Sequence, residues 1–422
     1  MYLASGARAV SAAGDLLAAI ALVLELQQRG MGGFAVAAIL IAAAVPPVLL
    51  VGWAGRLADR ADSRQLLMVT GLAQAGACVA LAFAGGIAEI IALVTVLAAG
   101  LALTQPCLSA LLPDMVNPDD LPKATALSQT ASAAATMLAP ALAGLLMGQF
   151  GVKVPLLADA ASYLAIVAAG GLIRTRRGAP ARAPSPEQPS GQQPSGQQPP
   201  AAPGWRLRQD PLIWSAIVLI GAVVAAASLV NVAEVFLIRG TLHSSTTVYG
   251  LLDSVWIGAT MAGAWLLARR RLADWALGPA LLGALVVTCA SVAVFGIVPA
   301  VGWLVPVSLV GGLGNGGVNN AVAVLIGRRT PSAVRGQAYA VLGAVVSATT
   351  TAGYLLGGLL LAVISVRVTI AAAGLAGLAV TVAFALPVLR ASRLERDAET
   401  GRGGAVNAGR GGHDARAPLA EQ

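Results

Sequence analysis

The sequence predicts an all-α membrane protein of twelve transmembrane helices, arranged as two pseudo-symmetric bundles of six. Three observations support this fold class. Of 422 residues, 57% are hydrophobic and only 11% are charged, whereas soluble domains are about 25% charged. The chain has uncharged runs that can cross a bilayer core of about 30 Å as α-helices, and its two halves resemble each other. Only helices and closed barrels satisfy their backbone in lipid, and these runs lack the alternation of a barrel.

Long apolar segments mark the individual spans. Residues 65–88 and 90–113 are runs of 24 uncharged residues, and residues 124–152 are a run of 29. The 53 uncharged residues from 275 to 327 must hold two spans, with a break at residues 296–302. The first span begins close to Met1 and is long, so we expect an uncleaved anchor and no cleaved signal. The twelve predicted spans are residues 8–28, 33–54, 65–84, 88–110, 125–147, 154–173, 212–236, 248–268, 276–296, 302–325, 336–361 and 368–389.

Basic residues predict the orientation. The four short loops on one side hold ten Lys and Arg residues, and the six loops on the other side hold four. Lys and Arg accumulate in cytoplasmic loops, so both termini are expected inside the cell, with the protein in the plasma membrane. The net charge of +8 therefore reflects the orientation of the protein in the membrane. Nucleic acid is not an expected partner, because no soluble module presents a basic face.

Two polar segments divide the chain. Residues 174–211 are rich in Pro and Gln and contain the string Pro-Ser-Gly-Gln-Gln twice, which predicts a flexible, partly polyproline-like cytoplasmic linker. Residues 390–422 are rich in Gly and Arg and predict a disordered cytoplasmic tail. The expected domains are therefore two six-helix bundles, residues 1–173 and 212–389, separated by the linker and followed by the tail.

The two bundles match each other near an offset of 214 residues. Residues 57–60 (LADR) fall on 272–275 (LADW), and residues 139–146 (APALAGLL) fall on 353–360 (GYLLGGLL). The loops at 112–123 and 326–337 align without a gap. An offset of six spans conserves orientation, which predicts parallel repeats about an axis along the membrane normal.

Asp15 lies about eight residues into the first predicted span. An ionisable residue at such a depth is costly in lipid and indicates a functional role. It is therefore a candidate to bind a coupling proton or a cationic group of a substrate. A carboxylate that caps a neighbouring backbone or pairs with Arg8 is an equally weighted alternative.

Other polar side chains form short stripes at helical spacing within the spans. Because amides are costly in lipid, these faces are expected to turn toward a central cavity. Glu234 and Asp253 lie near the outer ends of their spans, where solvation at the interface is the simpler explanation. Asn315 and Asn319 are deeper, although hydrogen bonding between helices explains them nearly as well. Trp256 could stack on a flat apolar substrate. The stripes are Gln105 with Ser109, Asn231 with Glu234, Asp253 with Trp256 and Thr260, and Asn315 with Asn319.

The sequence offers little for catalysis. It has two histidines, His243 in an outer loop and His413 in the tail, and no His-Glu-x-x-His, Walker-type or Gly-x-Ser-x-Gly motif. These features argue against a membrane enzyme and against an ATP-driven pump. Cys78, Cys107 and Cys289 are scattered singly, so no disulfide or metal site is expected, and each is interpreted as small apolar filler. No cofactor is expected.

The order of spans and the polar segment after the second span resemble the major facilitator superfamily. Residues 55–64 (GRLADRADSR) resemble its signature, a Gly followed by Asp-Arg and further basic residues, although Asp62 and Ser63 replace the usual Gly and Arg. Together with residues 11–15 (SAAGD) and 111–116 (LLPDMV), this form is similar to the branch that contains siderophore exporters and macrolide-type drug exporters. The resemblance covers about residues 5–390. The matching positions of the signature are Gly55, Asp59, Arg60 and Arg64.

The resemblance implies two structural roles. Asp59 and the nearby arginines would form a cytoplasmic latch, with Asp59 near the N-terminal end of the eleventh helix, where a carboxylate interacts favourably with the helix dipole. A solvated loop of little energetic value is the alternative. Drug/proton antiporters of the superfamily carry Gly-Pro-x-x-Gly-Gly in the fifth span. Here residues 139–144 are APALAG, so small residues permit close helix packing, but two alanines weaken the expectation of antiport. The packing residues are Pro140 and Gly144, with Gly353, Gly357 and Gly358 in the second half.

The expected function is secondary active transport across the lipid bilayer. The protein would be a monomer that exports a hydrophobic or amphipathic small molecule by proton antiport, with the two halves rocking about a site near the midplane. Uptake by proton symport is the alternative within the same fold. A channel or an integral-membrane enzyme is the alternative from another class, although the sequence has no evident charged ring or carbonyl filter for a channel.

We predict that Asp59→Ala lowers transport while leaving expression intact, because the latch would bias the equilibrium between the two orientations of the carrier. The measurement is substrate flux in membranes, normalised to the amount of protein present. Unchanged flux at equal expression would falsify the role of Asp59 as a latch.

Overall fold

A computed structural model shows twelve long helices in the order that the sequence predicts. It describes residues 2–60, 63–114, 121–172, 211–270, 272–331 and 334–411. Every predicted span lies on its own helix, and the predicted break after residue 296 is confirmed by a short 3₁₀ turn at Val301–Trp303. The helices are α1 (Tyr2–Gln28), α2 (Gly33–Arg60), α3 (Ser63–Leu81), α4 (Ile87–Asp114), α5 (Leu121–Phe150), α6 (Lys153–Leu172), α7 (Pro211–Val235), α8 (Thr246–Arg269), α9 (Asp274–Ile297), α10 (Leu304–Arg329), α11 (Arg335–Leu360) and α12 (Val366–Gly411).

Two helices continue through segments that the sequence predicts to be a hairpin loop and a disordered tail. α2 continues to Arg60, so the segment from Gly55 to Arg60 is helical and does not form the loop that the sequence predicts. α12 continues to Gly411, so residues 390–411 are helical where the sequence predicts a disordered tail. Residues 56–60 (RLADR) and 390–399 (RASRLERDAE) consist mostly of Arg, Leu, Ala and Glu, which are strong helix formers, and a helix does not have to end where the bilayer ends. The composition gives no such reason for the glycine-rich residues 401–411. Of the predicted linker, residues 174–211, the structure describes only Pro211, the first residue of α7.

The protein is a multi-pass membrane protein. Among the described residues, eleven helices are long and apolar enough to cross a membrane. The remaining helix, α6, packs against α1 and α3 within the same bundle. Its 20 residues correspond to a length of about 30 Å, which equals the thickness of the hydrocarbon core.

The two halves share one packing pattern. In the first half α1 packs against α5 and α6, α3 against α4 and α6, and α2 against α4. In the second half the same five pairs recur with every helix number raised by six: α7 with α11 and α12, α9 with α10 and α12, and α8 with α10. The structure therefore confirms the two pseudo-symmetric bundles predicted from the repeated sequence.

The halves meet through two symmetry-related helix pairs, α5 with α8 and α2 with α11. A Cβ built on Gly144 of α5 would collide with the backbone of α8 at Thr246, and one built on Gly358 of α11 would meet the backbone of α2 at Phe34. Gly144 and Gly358 are 214 residues apart, so the repeat places the same small residue in both contacts. Both contacts lie at the end of the molecule opposite the chain termini, near the end of α5 and the start of α2.

Hydrogen bonds strengthen the α5–α8 contact. The Thr246 hydroxyl donates to the Gly144 carbonyl at 2.9 Å. The backbone N–H of Ala141, one residue after Pro140, donates to the Ser254 hydroxyl at 3.0 Å. Pro140 cannot donate a backbone hydrogen bond. The regular series of backbone hydrogen bonds in α5 is therefore already interrupted at this position.

We predict that Gly250→Ala destabilises the protein by about 1–3 kcal/mol, because the added methyl group overpacks a close helix contact. A Cβ on Gly250 would collide with the carbonyl oxygen of Pro140 on α5. The measurement is thermal unfolding of the purified protein in detergent.

The matched control is Gly283→Ala on α9, where the added Cβ meets nothing within 4 Å. This control should leave stability unchanged or raise it slightly, since alanine favours a helix more than glycine does. Equal unfolding temperatures for the two variants would contradict the close α5–α8 contact.

Candidate functional site

A cavity of about 250 Å³ lies inside the C-terminal bundle, between α7, α8, α9 and α10. All of its seventeen lining residues belong to this half. The sequence predicts a central cavity near the midplane about which both halves rock, whereas this cavity is lined by one half alone. The structure brings six of the predicted substrate or proton candidates together in its wall: Asn231, Glu234, Asp253, Trp256, Asn315 and Asn319.

The polar end of the cavity holds two carboxyl groups. Glu234 lies at the last turn of α7 and Asp253 lies two turns into α8, and both are half-buried in the cavity wall. The sequence favours solvation at the membrane interface for these two residues, whereas the structure turns them into the bundle. α7 continues beyond Glu234 into a π-helical turn, Phe236–Thr241, whose Leu237 and Ile238 are fully buried, so the chain stays inside the protein past this position.

Trp256 and the two deeper asparagines lie on facing helices that pack unusually closely. A Cβ on Gly312 of α10 would meet the carbonyl oxygen of Trp256, and one on Gly316 would collide with the backbone of α8 at Thr260. Glycine at these positions lets α10 approach α8, as small residues do in membrane bundles. The approach brings Asn315 and Asn319 to the same cavity as the indole of Trp256.

Most of the remaining cavity wall is apolar, with the hydroxyl groups of Thr288 and Ser308 as the exceptions. Ile220, Val223, Val224 and Ala227 of α7 line it together with Leu285 of α9, among others. Along α7, the distance from residue 220 to residue 234 is about 21 Å at 1.5 Å per residue. The cavity is therefore amphipathic along its length, with carboxyl groups at one end and aliphatic side chains at the other.

The N-terminal bundle holds a second group of carboxyl residues, which is buried and tightly hydrogen-bonded. The Tyr163 hydroxyl of α6 donates to the Asp15 carboxyl of α1. The Cys78 thiol of α3 donates to the Asp159 carboxyl at 3.2 Å, and the Ser162 hydroxyl donates to it at 3.0 Å. A Cβ on Gly14 would collide with Asp159, so the small residue before Asp15 lets α1 and α6 approach. These five side chains form the Asp15 cluster.

The sequence analysis missed part of the Asp15 cluster. It did not single out Asp159 or Tyr163, although a carboxyl residue inside a predicted span is the same signal that identified Asp15. It interpreted Cys78 as apolar filler, whereas the thiol is a hydrogen-bond donor to Asp159. The alternative pairing of Asp15 with Arg8 is not described, because the side chain of Arg8 lies outside the described part.

The remaining predicted residues lie apart from both groups. Gln105 is half-buried on α4, in the half opposite the cavity. Pro140, Gly144 and Gly358 lie in the contacts between the halves, whereas Gly353 and Gly357 pack against α7 within the second half.

The structure gives only part of the proposed latch. Gly55, Asp59 and Arg60 lie in the last turns of α2, but their side chains are outside the described part; Arg64 begins α3 next to Ser63. The repeat counterpart is described: Asp274, at the start of α9, forms an ion pair with Arg328 at 2.8 Å. At the start of α11, Arg335 donates to the Thr330 carbonyl at 3.3 Å.

Within the described residues there is no group of three or more His, Cys, Asp or Glu side chains that could hold a metal ion. The polar groups of the cavity are instead hydroxyl, amide, indole and carboxyl groups. Such a set can bind an organic molecule by hydrogen bonds, stacking and charge.

Solved structures of transporters share this fold. The chain is similar to the nucleoside transporter NupG, with a TM-score of 0.67 and 13% identity over 92% of this chain and 99% of that one. It is similar to a bacterial homologue of the iron transporter ferroportin in an inward-facing state, with a TM-score of 0.68 and 17% identity over 92% and 97% of the two chains. The peptide transporter POT gives a TM-score of 0.66 and 15% identity over 93% and 94%. At these identities the likeness shows the fold.

A family model provides the closer assignment. No curated protein matches the sequence. The model described as transmembrane secretion effector matches residues 6–401, which is nearly the whole chain. That model is one of the major facilitator superfamily, and the fold and the structural neighbours are those of secondary transporters, not of enzymes. The chain therefore belongs to the transmembrane secretion effector family of the major facilitator superfamily.

Proposed function

We propose that the protein exports a hydrophobic or amphipathic small molecule across the plasma membrane in exchange for protons, by alternating access. The observation that carries this proposal is the amphipathic cavity between α7 and α10, which has the polar and apolar parts that such a molecule needs. Ligand cavities are typically apolar, with a few polar groups that fix orientation. The likeness to drug and siderophore exporters in residues 55–64 supports export.

Proton coupling is assigned to the Asp15 cluster. Carboxyl groups inside membrane spans commonly form the proton relays of transporters. The cluster is separate from the cavity, because its members lie on α1, α3 and α6 of the N-terminal half. A proton could therefore bind in one half while the substrate binds in the other, and the contacts between the halves would link the two events.

Alternating access is supported by the location of those contacts. Both glycine contacts join the halves at the end opposite the termini. With the termini in the cytosol, as the basic loops predict, this arrangement would be closed on the outside. Transport then requires α5 to separate from α8 and α2 from α11 in the opposite state. A latch between Asp59 and α11 would form at the cytoplasmic end in that state.

Uptake by proton symport uses the same fold and remains the alternative. The two directions are separated by comparing energised inside-out vesicles with right-side-out vesicles. Accumulation of substrate only in inside-out vesicles supports export, and accumulation only in right-side-out vesicles supports uptake.

We predict that joining α5 to α8 abolishes transport, because alternating access needs the two helices to part. The variant Ala141→Cys/Ser254→Cys places two thiols where the native side chain and backbone are in hydrogen-bond contact. A short, reducible bifunctional thiol reagent should stop flux, and reduction should restore it. Of the native cysteines, Cys78, Cys107 and Cys289 are all buried.

The control joins two helices of the same half. Ala284→Cys/Gly317→Cys links α9 to α10, where the added Cβ would lie 3.2 Å from that of Ala284. This link should leave flux largely intact because both helices belong to one moving body. Full activity of the cross-linked α5–α8 variant would contradict alternating access about this contact.

We predict that Asp15→Asn and Asp159→Asn each remove substrate-driven proton movement, because an amide cannot carry the proton. The protein is reconstituted in liposomes and screened with lipophilic antibiotics and siderophores while internal pH is recorded. Transport that remains in the variants should lose its dependence on the proton gradient.

Glu25→Gln is the matched control on the same helix as Asp15. Its carboxylate pairs with Arg29 at 2.8 Å near the end of α1, and an exposed pair of this kind contributes only about 0–1 kcal/mol. The control should keep the pH profile of the unaltered protein. If both cluster variants also keep that profile, the Asp15 cluster has no part in coupling.

A further inference from the structure

We infer that the cavity of the C-terminal half selects amphipathic organic cations, with the positive group held by Glu234 and Asp253 and the apolar body in the aliphatic end. This inference rests on the proposed function, because it names the substrate class of that transporter.

The two carboxyl groups are unpartnered. Among the described residues neither Glu234 nor Asp253 has a hydrogen-bond donor or a cationic neighbour, and the charged groups within electrostatic range are each other, with the Tyr249 phenol nearby. Buried ionisable groups are normally paired or hydrogen-bonded, since an isolated buried charge is very costly. In the Asp15 cluster, by contrast, both carboxyl groups accept hydrogen bonds from protein side chains. The carboxyl groups of the cavity therefore lack what a bound cation would supply.

The cavity wall carries no positive charge. None of its seventeen lining residues is Lys, Arg or His. An anionic ligand would face two carboxyl groups without compensation, whereas a cation would be attracted by both. The two carboxyl groups thus attract cationic ligands and repel anionic ones. Repulsion of the wrong ligand is a common source of binding specificity.

The indole of Trp256 lies in the same wall as the carboxyl groups. It is three residues after Asp253 on α8, and so on the same face of that helix. A Cβ on Gly311 of α10 would contact the indole ring, so α10 holds the ring in place. The face of a tryptophan attracts a cation, most strongly of the aromatic side chains. A flat aromatic cation would then meet the ring and the carboxyl groups together.

The length of the cavity accommodates the rest of such a molecule. Val223 and Val224 of α7 line the cavity away from the carboxyl groups, about 15–17 Å along that helix from Glu234 by the helical rise. Apolar surface at this end favours a hydrocarbon body. Asn315 and Asn319 lie alongside and can donate to or accept from uncharged polar groups of the ligand.

The test uses two water-soluble probes with the same three-ring frame and opposite charge, N-methylacridinium and anthracene carboxylate. Binding to the purified full-length protein in a non-ionic detergent is measured by equilibrium dialysis. We expect N-methylacridinium to bind and anthracene carboxylate to neither bind nor displace it. Glu234→Gln and Asp253→Asn should each weaken binding of the cation about thirtyfold, as truncation of one partner of a buried charge pair does. Trp256→Leu should weaken it about tenfold.

The matched control is Glu89→Gln, which removes an exposed carboxylate of the other half that accepts from the Gly85 backbone. It should leave the affinity unchanged, and elution at the size of the unaltered protein shows that each variant is folded. Equal binding of the two probes, absence of cation binding, or an unchanged affinity in both carboxyl variants overturns the inference.

The same protein in liposomes separates this inference from the proposed transport. Charge-selective binding that depends on Glu234 and Asp253, without proton-linked movement of the cation, supports the site and contradicts the exporter. Proton-linked export of a neutral or anionic lipophile, without binding of N-methylacridinium, contradicts the site and supports the exporter.

Discussion

Hydrocarbon offers no hydrogen-bond partner, so the polar groups of a membrane-spanning chain must find their partners inside the protein. The backbone satisfies this requirement by forming helices, and the few polar side chains satisfy it by turning inward. In the N-terminal half they turn toward each other, as Tyr163 does toward Asp15. In the C-terminal half they turn toward a cavity, where Glu234 and Asp253 have no protein donor among the described residues. Both candidate sites are consequences of this one constraint.

The two halves share one arrangement of helices, the frame, but differ in their polar side chains, the content. The frame is shared because the same five helix pairs pack in each half. The content differs at corresponding positions: at the repeat offset of 214, Asp159 and Tyr163 correspond to Ala373 and Gly377. The C-terminal half therefore cannot form the Asp15 cluster. Gln105 corresponds to Asn319, yet only Asn319 lines a cavity. Duplication supplied the fold, and substitution at a few buried positions gave each half its own chemistry.

The number, order and centres of the helices could be predicted from the sequence because long uncharged runs have one stable form in lipid. The ends of α2 and α12 could not, since strong helix formers continue each helix past the apolar residues that mark its span. The orientation of each helix about its own axis could not be predicted either. Helices that are apolar all round give little information on which face is inside. For this reason Asp15 was identified but its neighbours Asp159 and Cys78 were not, and Glu234 was assigned to the interface although it lines the cavity.

The extension of α12 projects beyond its membrane-spanning part. The helix has 46 residues, or about 69 Å at 1.5 Å per residue, and so is about twice as long as the hydrocarbon core is thick. Near its base, the guanidinium of Arg396 lies 5.2 Å from the ring of Trp275 at the start of α9, which ties the projection to its own bundle. From residue 390 to residue 411 the helix covers about 32 Å. A tilt of the C-terminal bundle by about 10° would therefore move the end of α12 sideways by about 5–6 Å over that length. A small rotation within the membrane thus becomes a larger displacement outside it.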